Sequence, residues 1–141
     1  MKVKFIIPGD PKGKGRHRTT KSGHTYTPEQ TTNYENLVKV MYYQHCRNFK
    51  FDDNAQLDVR IVAYFPIPKS KSKKMQEAMR THKVRPIVKC DWDNIGKIIC
   101  DALNGIAYHD DKQVVDAQVR KFYSDQPRVI VTIQEAAEVT A

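Results

Sequence analysis

Ile95, Ile98, Ile99, Ala102 and Leu103 recur at three- and four-residue steps, and charged residues fall between them. A segment with that period has a single apolar face, so it must be a helix laid on something larger, and Asn104-Gly105 stops it. The spacing predicts a helix over 94–104, with Asp93 or Asn94 as its cap. The remaining face then carries Asp93, Lys97 and Asp101 at four-residue steps. A chain built around this helix needs a second layer to cover the stripe and must leave the charged row open to solvent.

Strands supply that layer. Residues 2–7 alternate and are closed by Pro8-Gly9-Asp10-Pro11, which cannot continue a ladder. Leu57, Val59, Ile61, Ala63 and Phe65 alternate over 56–65 until Pro66 ends the run. Val115, Ala117 and Val119 alternate with Asp116, Gln118 and Arg120, and the turn Ser124-Asp125-Gln126-Pro127 leads to a last strand over 128–134, an expected antiparallel hairpin. Thr27-Pro28-Glu29-Gln30 has capping-box spacing with Thr27 as the cap. It opens a long helix with the stripe Tyr34, Leu37, Val38, Met41, Tyr42 and His45, the histidine being read as the end of the buried row. A short helix is expected around 72–82. The result is an α+β fold with a mixed sheet, order roughly β-α-β-α-α-β-β, in one domain over residues 1–141 with a flexible tail at 135–141.

At 141 residues such a domain can bury a core without disulfides or a structural metal. Cys46, Cys90 and Cys100 are odd in number and widely spaced, which fits free thiols in a reducing compartment. The first residues are too short an apolar run for a signal peptide, and no segment could span a membrane, so a cytoplasmic location is expected. Lys and Arg outnumber Asp and Glu by 24 to 16, a formal charge of +8 that favours a polyanionic partner. The excess is concentrated in two places. Residues 12–27 form a glycine-rich loop with Lys12, Lys14, Arg16, Arg18 and Lys21 and no acid. Residues 69–89 carry eight basic residues against the single acid Glu77. Either run alone can be a solvated face.

Against that background the segment 90–116, CDWDNIGKIICDALNGIAYHDDKQVVD, is dense in acids. In an extended approach Asp91 and Asp93 project to the same side, and Asp93, Lys97 and Asp101 continue along one helical face. Taken singly, Asp93 is an N-cap, Lys97 and Asp101 a surface ion pair, and Asp110-Asp111 a turn. Taken together, carboxylates gathered in a basic chain invite a hard cation such as Mg²⁺, which takes oxygen ligands and shares its shell with phosphate. Such a metal would neutralise a phosphodiester and activate water, and Lys97 would stabilise the charge of the transition state. Rival chemistries have weak support: the Gly-rich loop lacks Walker spacing, no His and Cys stand at zinc spacing, and no serine has a nucleophile-elbow sequence.

The same segment resembles the RusA family of Holliday junction resolvases. The resemblance rests on Asp91-Trp92-Asp93-Asn94, Lys97, Asp101-Ala102-Leu103-Asn104-Gly105 and Asp110-Asp111-Lys112-Gln113-Val114. It implies that Asp91, Asp93 and Asp111 bind metal and are catalytic, that Lys97 is the catalytic lysine, and that Asp101 and Asp110 support the ligands. Only the resemblance prefers Asp111 to Asp110. It further implies a Mg²⁺-dependent endodeoxyribonuclease, with Mn²⁺ able to substitute. The enzyme would be a homodimer that nicks four-way DNA symmetrically in recombination and repair, matching the two-fold symmetry of the junction. Lys12, Lys14, Arg16, Arg18, Lys69, Lys71, Lys73 and Lys74 would hold phosphates. The chain departs from the family in having Cys90 where many relatives have Pro, and in its long lysine-rich stretch. Two other readings are a nuclease for flaps, other branched DNA, duplex or RNA, and a catalytically silent junction-binding module.

Overall fold

The computed structural model describes residues 1–140. In chain order the elements are β1 (Lys2–Pro8), β2 (Arg18–Thr19), β3 (Thr25–Tyr26), α1 (Glu29–Cys46), β4 (Leu57–Pro66), α2 (Lys73–Arg80), α3 (Trp92–Ala102), β5 (Val114–Ser124) and β6 (Arg128–Glu135). A 3-10 turn over Asp111–Gln113 leads into β5. The fold is α+β. Its mixed sheet has the order β1-β6-β4-β5, with β4 and β5 parallel and the other neighbours antiparallel, while β2 and β3 form a separate two-stranded ribbon.

That order corrects the expected hairpin, because β5 and β6 are not neighbours: β4 lies between them. The reason is the character of the strands. β4 is apolar and mostly buried, whereas β5 carries Asp116, Gln118 and Arg120 and tolerates an edge. Ser124 pairs with Pro66 and Arg128 with Tyr64, so residues 125–127 step across the end of β4, where Pro66 has no N–H to offer. Arg128 Nη1 fastens the crossing by donating to Gln126 O at 2.8 Å.

One face of the sheet, built from Phe5, Ile7, Val59, Ile61, Val131 and Ile133, is covered by α1 and α3. The α3 stripe is buried as its period requires; Ile95, Ile98 and Ile99 are fully enclosed, each worth roughly 1.5–3 kcal/mol. The helix starts earlier than expected, at Trp92, with Asp91 as N-cap, because Asp91 O already accepts Ile95 N at 3.0 Å and closes the first turn there. In α1 the buried row is Thr31, Tyr34, Val38 and Tyr42. Pro28, not Thr27, is its N-cap, and no side chain caps it. His45 is exposed and its Nδ1 meets Met41 O at 2.9 Å; Cys46, four residues beyond Tyr42, takes the core-side place instead. The tail expected to be loose from 135 is tied at its start, since β6 includes Glu135 and Ala136 N donates to Gln56 O at 2.7 Å; Ala141 lies outside the described residues. Among the described residues no helix is long and apolar enough to cross a membrane.

Candidate active site

Burial of the α3 stripe fixes the rotation of that helix and so decides what its other sides show. Asp93, Lys97 and Asp101 form one row, and Trp92, Gly96 and Cys100 form the adjacent row. Both rows line a cleft of about 390 Å³ between α3 and the β4–β5 edge, with Val59 and Ile61 at its floor and Asp111 on its far wall. Gly96 leaves room between α3 and β5: a Cβ there would meet only Val119 Cγ2, at an ordinary contact of 3.5 Å.

Asp111 reaches the cleft through a loop whose bonds are used up locally. Gly105 adopts φ +76°, which suits glycine, and its N–H reaches Tyr108 O at 2.8 Å. The buried Tyr108 donates its hydroxyl to Cys100 O at 2.7 Å. Asn104 Oδ1 accepts the Asp111 N–H at 2.8 Å. Gln113 is a brace: its Oε1 accepts from His109 N and Asp110 N, and its Nε2 donates to Asp52 O and Ala55 O. Asp110 Oδ1 caps the turn by accepting Lys112 N at 2.8 Å, an interaction that holds its carboxyl below the usual carboxylate range. Asp111 keeps its carboxyl for the cleft. Burial, followed by the neighbouring Asp110 and Asp101 carboxyls, pushes it above the usual range. Local bonding thus separates two adjacent acids that composition alone leaves equivalent.

The sequence model of the endodeoxyribonuclease RusA family matches residues 8–134. This chain belongs to the RusA family. It is also similar to a Bacillus subtilis (strain 168) protein named "Uncharacterized protein YqaN", 38% identical over 140 residues that make up 96% of this chain and 97% of that protein.

Not all of the RusA-type residues meet in the cleft. Asp93, Lys97, Asp101 and Asp111 line it; Asp91 and Asp110 do not. Asp91 sits exposed at the α3 N-cap without a side-chain bond to the helix, leaving the N–H groups of Trp92 and Asp93 without a side-chain partner. The simple Lys97–Asp101 ion pair does not form; Lys97 has no ion-pair partner among the described residues. Carboxylate oxygens suit a hard cation in kind. Yet among the described residues no three His, Cys, Asp or Glu side chains stand at metal-holding spacing, so the acids fit in chemistry and are splayed in geometry.

Asp101 pairs instead with Lys14, whose Nζ lies 3.3 Å from Asp101 Oδ2 and 2.9 Å from Glu35 Oε2. Burial would lower the affinity of Lys14 for its proton, but Glu35 and then Asp101 outweigh it and the pKa is raised. The loop is clamped there: Lys14 N donates to Asn94 O at 3.0 Å and Gly15 N to Thr31 Oγ1 at 3.1 Å. A Cβ on Gly13 would fall 2.9 Å from Cys90 Cβ, and one on Gly15 2.6 Å from Thr31 Oγ1, so both positions require glycine by close approach. Lys14 therefore faces inward, whereas Lys12, Arg16 and Arg18 are exposed around a second hollow of about 360 Å³ shared with Lys89.

Lys69, Lys71, Lys73 and Lys74 are exposed at the start of α2, beyond the Pro66 end of β4. The acid cleft borders Val59 and Ile61 further along β4, roughly 15–25 Å from Pro66 at strand rise. Sequence reasoning passed over Glu35, Asn104, Gln113 and Trp92. Asn104 and Gln113 carried a signal, their places in the RusA-type runs 101–105 and 110–114.

Proposed function

We propose that the chain is a Mg²⁺-dependent, structure-selective endodeoxyribonuclease that resolves Holliday junctions by paired symmetric nicking as a cytoplasmic homodimer, in DNA recombination and repair. The observation that carries this reading is the convergence of Asp93, Lys97, Asp101 and Asp111 in one cleft of a RusA-family chain with a formal charge of +8.

Asp91, Asp93 and Asp111 would hold the cation, with Asp101 beside them. When bound, it supplies neutralisation of the phosphate and activation of water. The chain's own groups do the rest. Lys97 is free to contact a non-bridging phosphate oxygen and to stabilise charge as the bond to phosphorus forms. The free N–H groups of Trp92 and Asp93 at the start of α3 favour the same anion through the helix dipole. One of the ligand carboxylates would also accept a proton from the attacking water. Lys14 holds Asp101 in place from behind. Arg16, Arg18 and Lys12 grip the strand next to the cut, while Lys69, Lys71, Lys73 and Lys74 hold an outlying arm.

Labelled four-way junction incubated with native protein and with Asp93→Asn, with and without Mg²⁺, tests this. The native protein should nick two strands of like polarity only with Mg²⁺, and Asp93→Asn should bind the junction without cutting it. Mg²⁺-dependent turnover by Asp93→Asn would overturn the catalytic assignment. Equal or faster cutting of flap, duplex or RNA would replace the junction as substrate.

A further inference from the structure

The reaction above uses the carboxylates and Lys97 but has no need of the apolar part of the cleft. That part is made by the Trp92, Gly96 and Cys100 row facing Val59, Ile61 and Val119. Trp92 stands at its lip with 65% of its surface exposed, more than any other large aromatic side chain left open among the described residues. An indole so exposed at the lip has its aromatic face free for a flat partner. Gly96 keeps the space open, since nothing but Val119 Cγ2 comes within 4 Å of where its Cβ would be.

Charge indicates what enters. Lys97 borders both this cleft and a neighbouring hollow lined by Lys14, Arg16 and Asn94. Arg16 in turn borders the hollow of Lys12, Arg18 and Lys89. The three form one track, cationic until it opens into this cleft, where the apolar wall stands beside the carboxylates of Asp93, Asp101 and Asp111. A nucleic-acid strand matches that alternation, with phosphates on the cations and a flat apolar base in the cleft. We propose that the cleft takes one unstacked nucleobase beside the scissile phosphate, stacked on Trp92, so that Trp92 positions the strand for cutting. This site rests on the nuclease reading and adds a base contact to it. Stacking on an aromatic face tolerates any base, so the site would hold the strand in register without reading sequence.

Trp92 is the only tryptophan of the chain, so its emission reports on this site alone. Full-length protein would be titrated with fluorescently labelled four-way junction in EDTA, with DNA anisotropy and tryptophan emission followed together. Emission should be quenched in step with binding. Gly96→Leu, which fills the cleft and keeps the indole, should abolish the quench. Trp92→Ala should slow Mg²⁺-dependent cleavage about tenfold, as expected for one lost stack, and Trp92→Phe should restore most of it. An abasic nucleotide at one position next to the nick should also remove the quench. Unchanged emission at saturating DNA would overturn the proposal, as would native-like cleavage by Trp92→Ala. So would emission that shifts on diluting the protein without DNA, since a second copy would then cover the indole. Quenching without any cleavage would remove the nuclease reading alone; cleavage without quenching would remove the base site alone.

Discussion

The two basic regions have similar composition and opposite relations to the rest of the molecule. The loop at 12–18 is threaded along α3, with Lys14 N on Asn94 O, Gly15 N on Thr31 Oγ1 and the Lys14 ammonium between Glu35 and Asp101. The run at 69–74 is held by little more than the Ser72 cap on Met75 N and Gln76 Nε2 on Lys71 O, and its lysines point to solvent. A count of positive charge treats them alike. Geometry separates a loop that shapes the acid cleft from a run that can only attract a polyanion.

The largest effects should therefore follow the loop. Replacing Arg16 and Arg18 together by Gln should reduce junction cleavage strongly and lower the salt slope of binding by roughly 0.9 per lost phosphate contact. Replacing Lys73 and Lys74 by Gln should weaken binding less and leave the rate of the bound complex unchanged. Gel-shift titrations across salt, paired with single-turnover cleavage, would measure both. An equal fall in bound-complex rate for the two pairs would erase the distinction.

Gly15→Ala comes next. Its Cβ would sit 2.6 Å from Thr31 Oγ1, so the loop must shift or lose that hydrogen bond, at a cost of about 1–3 kcal/mol typical of overpacking. Denaturant unfolding would show it, and cleavage should fall in parallel because the loop carries Lys14 against Asp101. No residue of 69–74 is so confined, and Ser70→Ala should leave stability within about 0.5 kcal/mol.

This contrast also marks what could be seen in the residues beforehand. The α3 stripe and the charged row beside it were legible because a helical period fixes both faces at once. The parallel partnership of β4 and β5 was not, since Ser124-Asp125-Gln126-Pro127 has the same turn chemistry whether the chain reverses onto β5 or steps over β4. Lys14 reads like its basic neighbours until Gly13 and Gly15 are found against Cys90 and Thr31, a close approach between segments distant in sequence. Asp110 and Asp111 could be told apart only once Lys112 N had claimed the first. Asp91, prominent in the family pattern, lies outside the cleft wall, while Asp101 stands within it.

The smallest expected effect concerns the Lys14 ion pairs. Lys14→Met keeps the stem of the side chain and removes the charge, leaving Glu35 and Asp101 without their cation; for partly exposed pairs the loss should be about 1 kcal/mol, or about 3 °C in Tm. Its pH dependence identifies the source. Because the folded chain binds the Lys14 proton more tightly than the unfolded chain, the stabilisation is fully present below the ordinary lysine value of 10.5 and is lost as pH rises through the higher folded value. Native and Lys14→Met should therefore differ by a constant amount between pH 7 and 10 and converge above that range in thermal melts. A Lys73→Met control should match the native curve throughout. Convergence already near neutrality would mean that the loop is held by its backbone bonds to Asn94 and Thr31, and that the ammonium contributes nothing to the clamp.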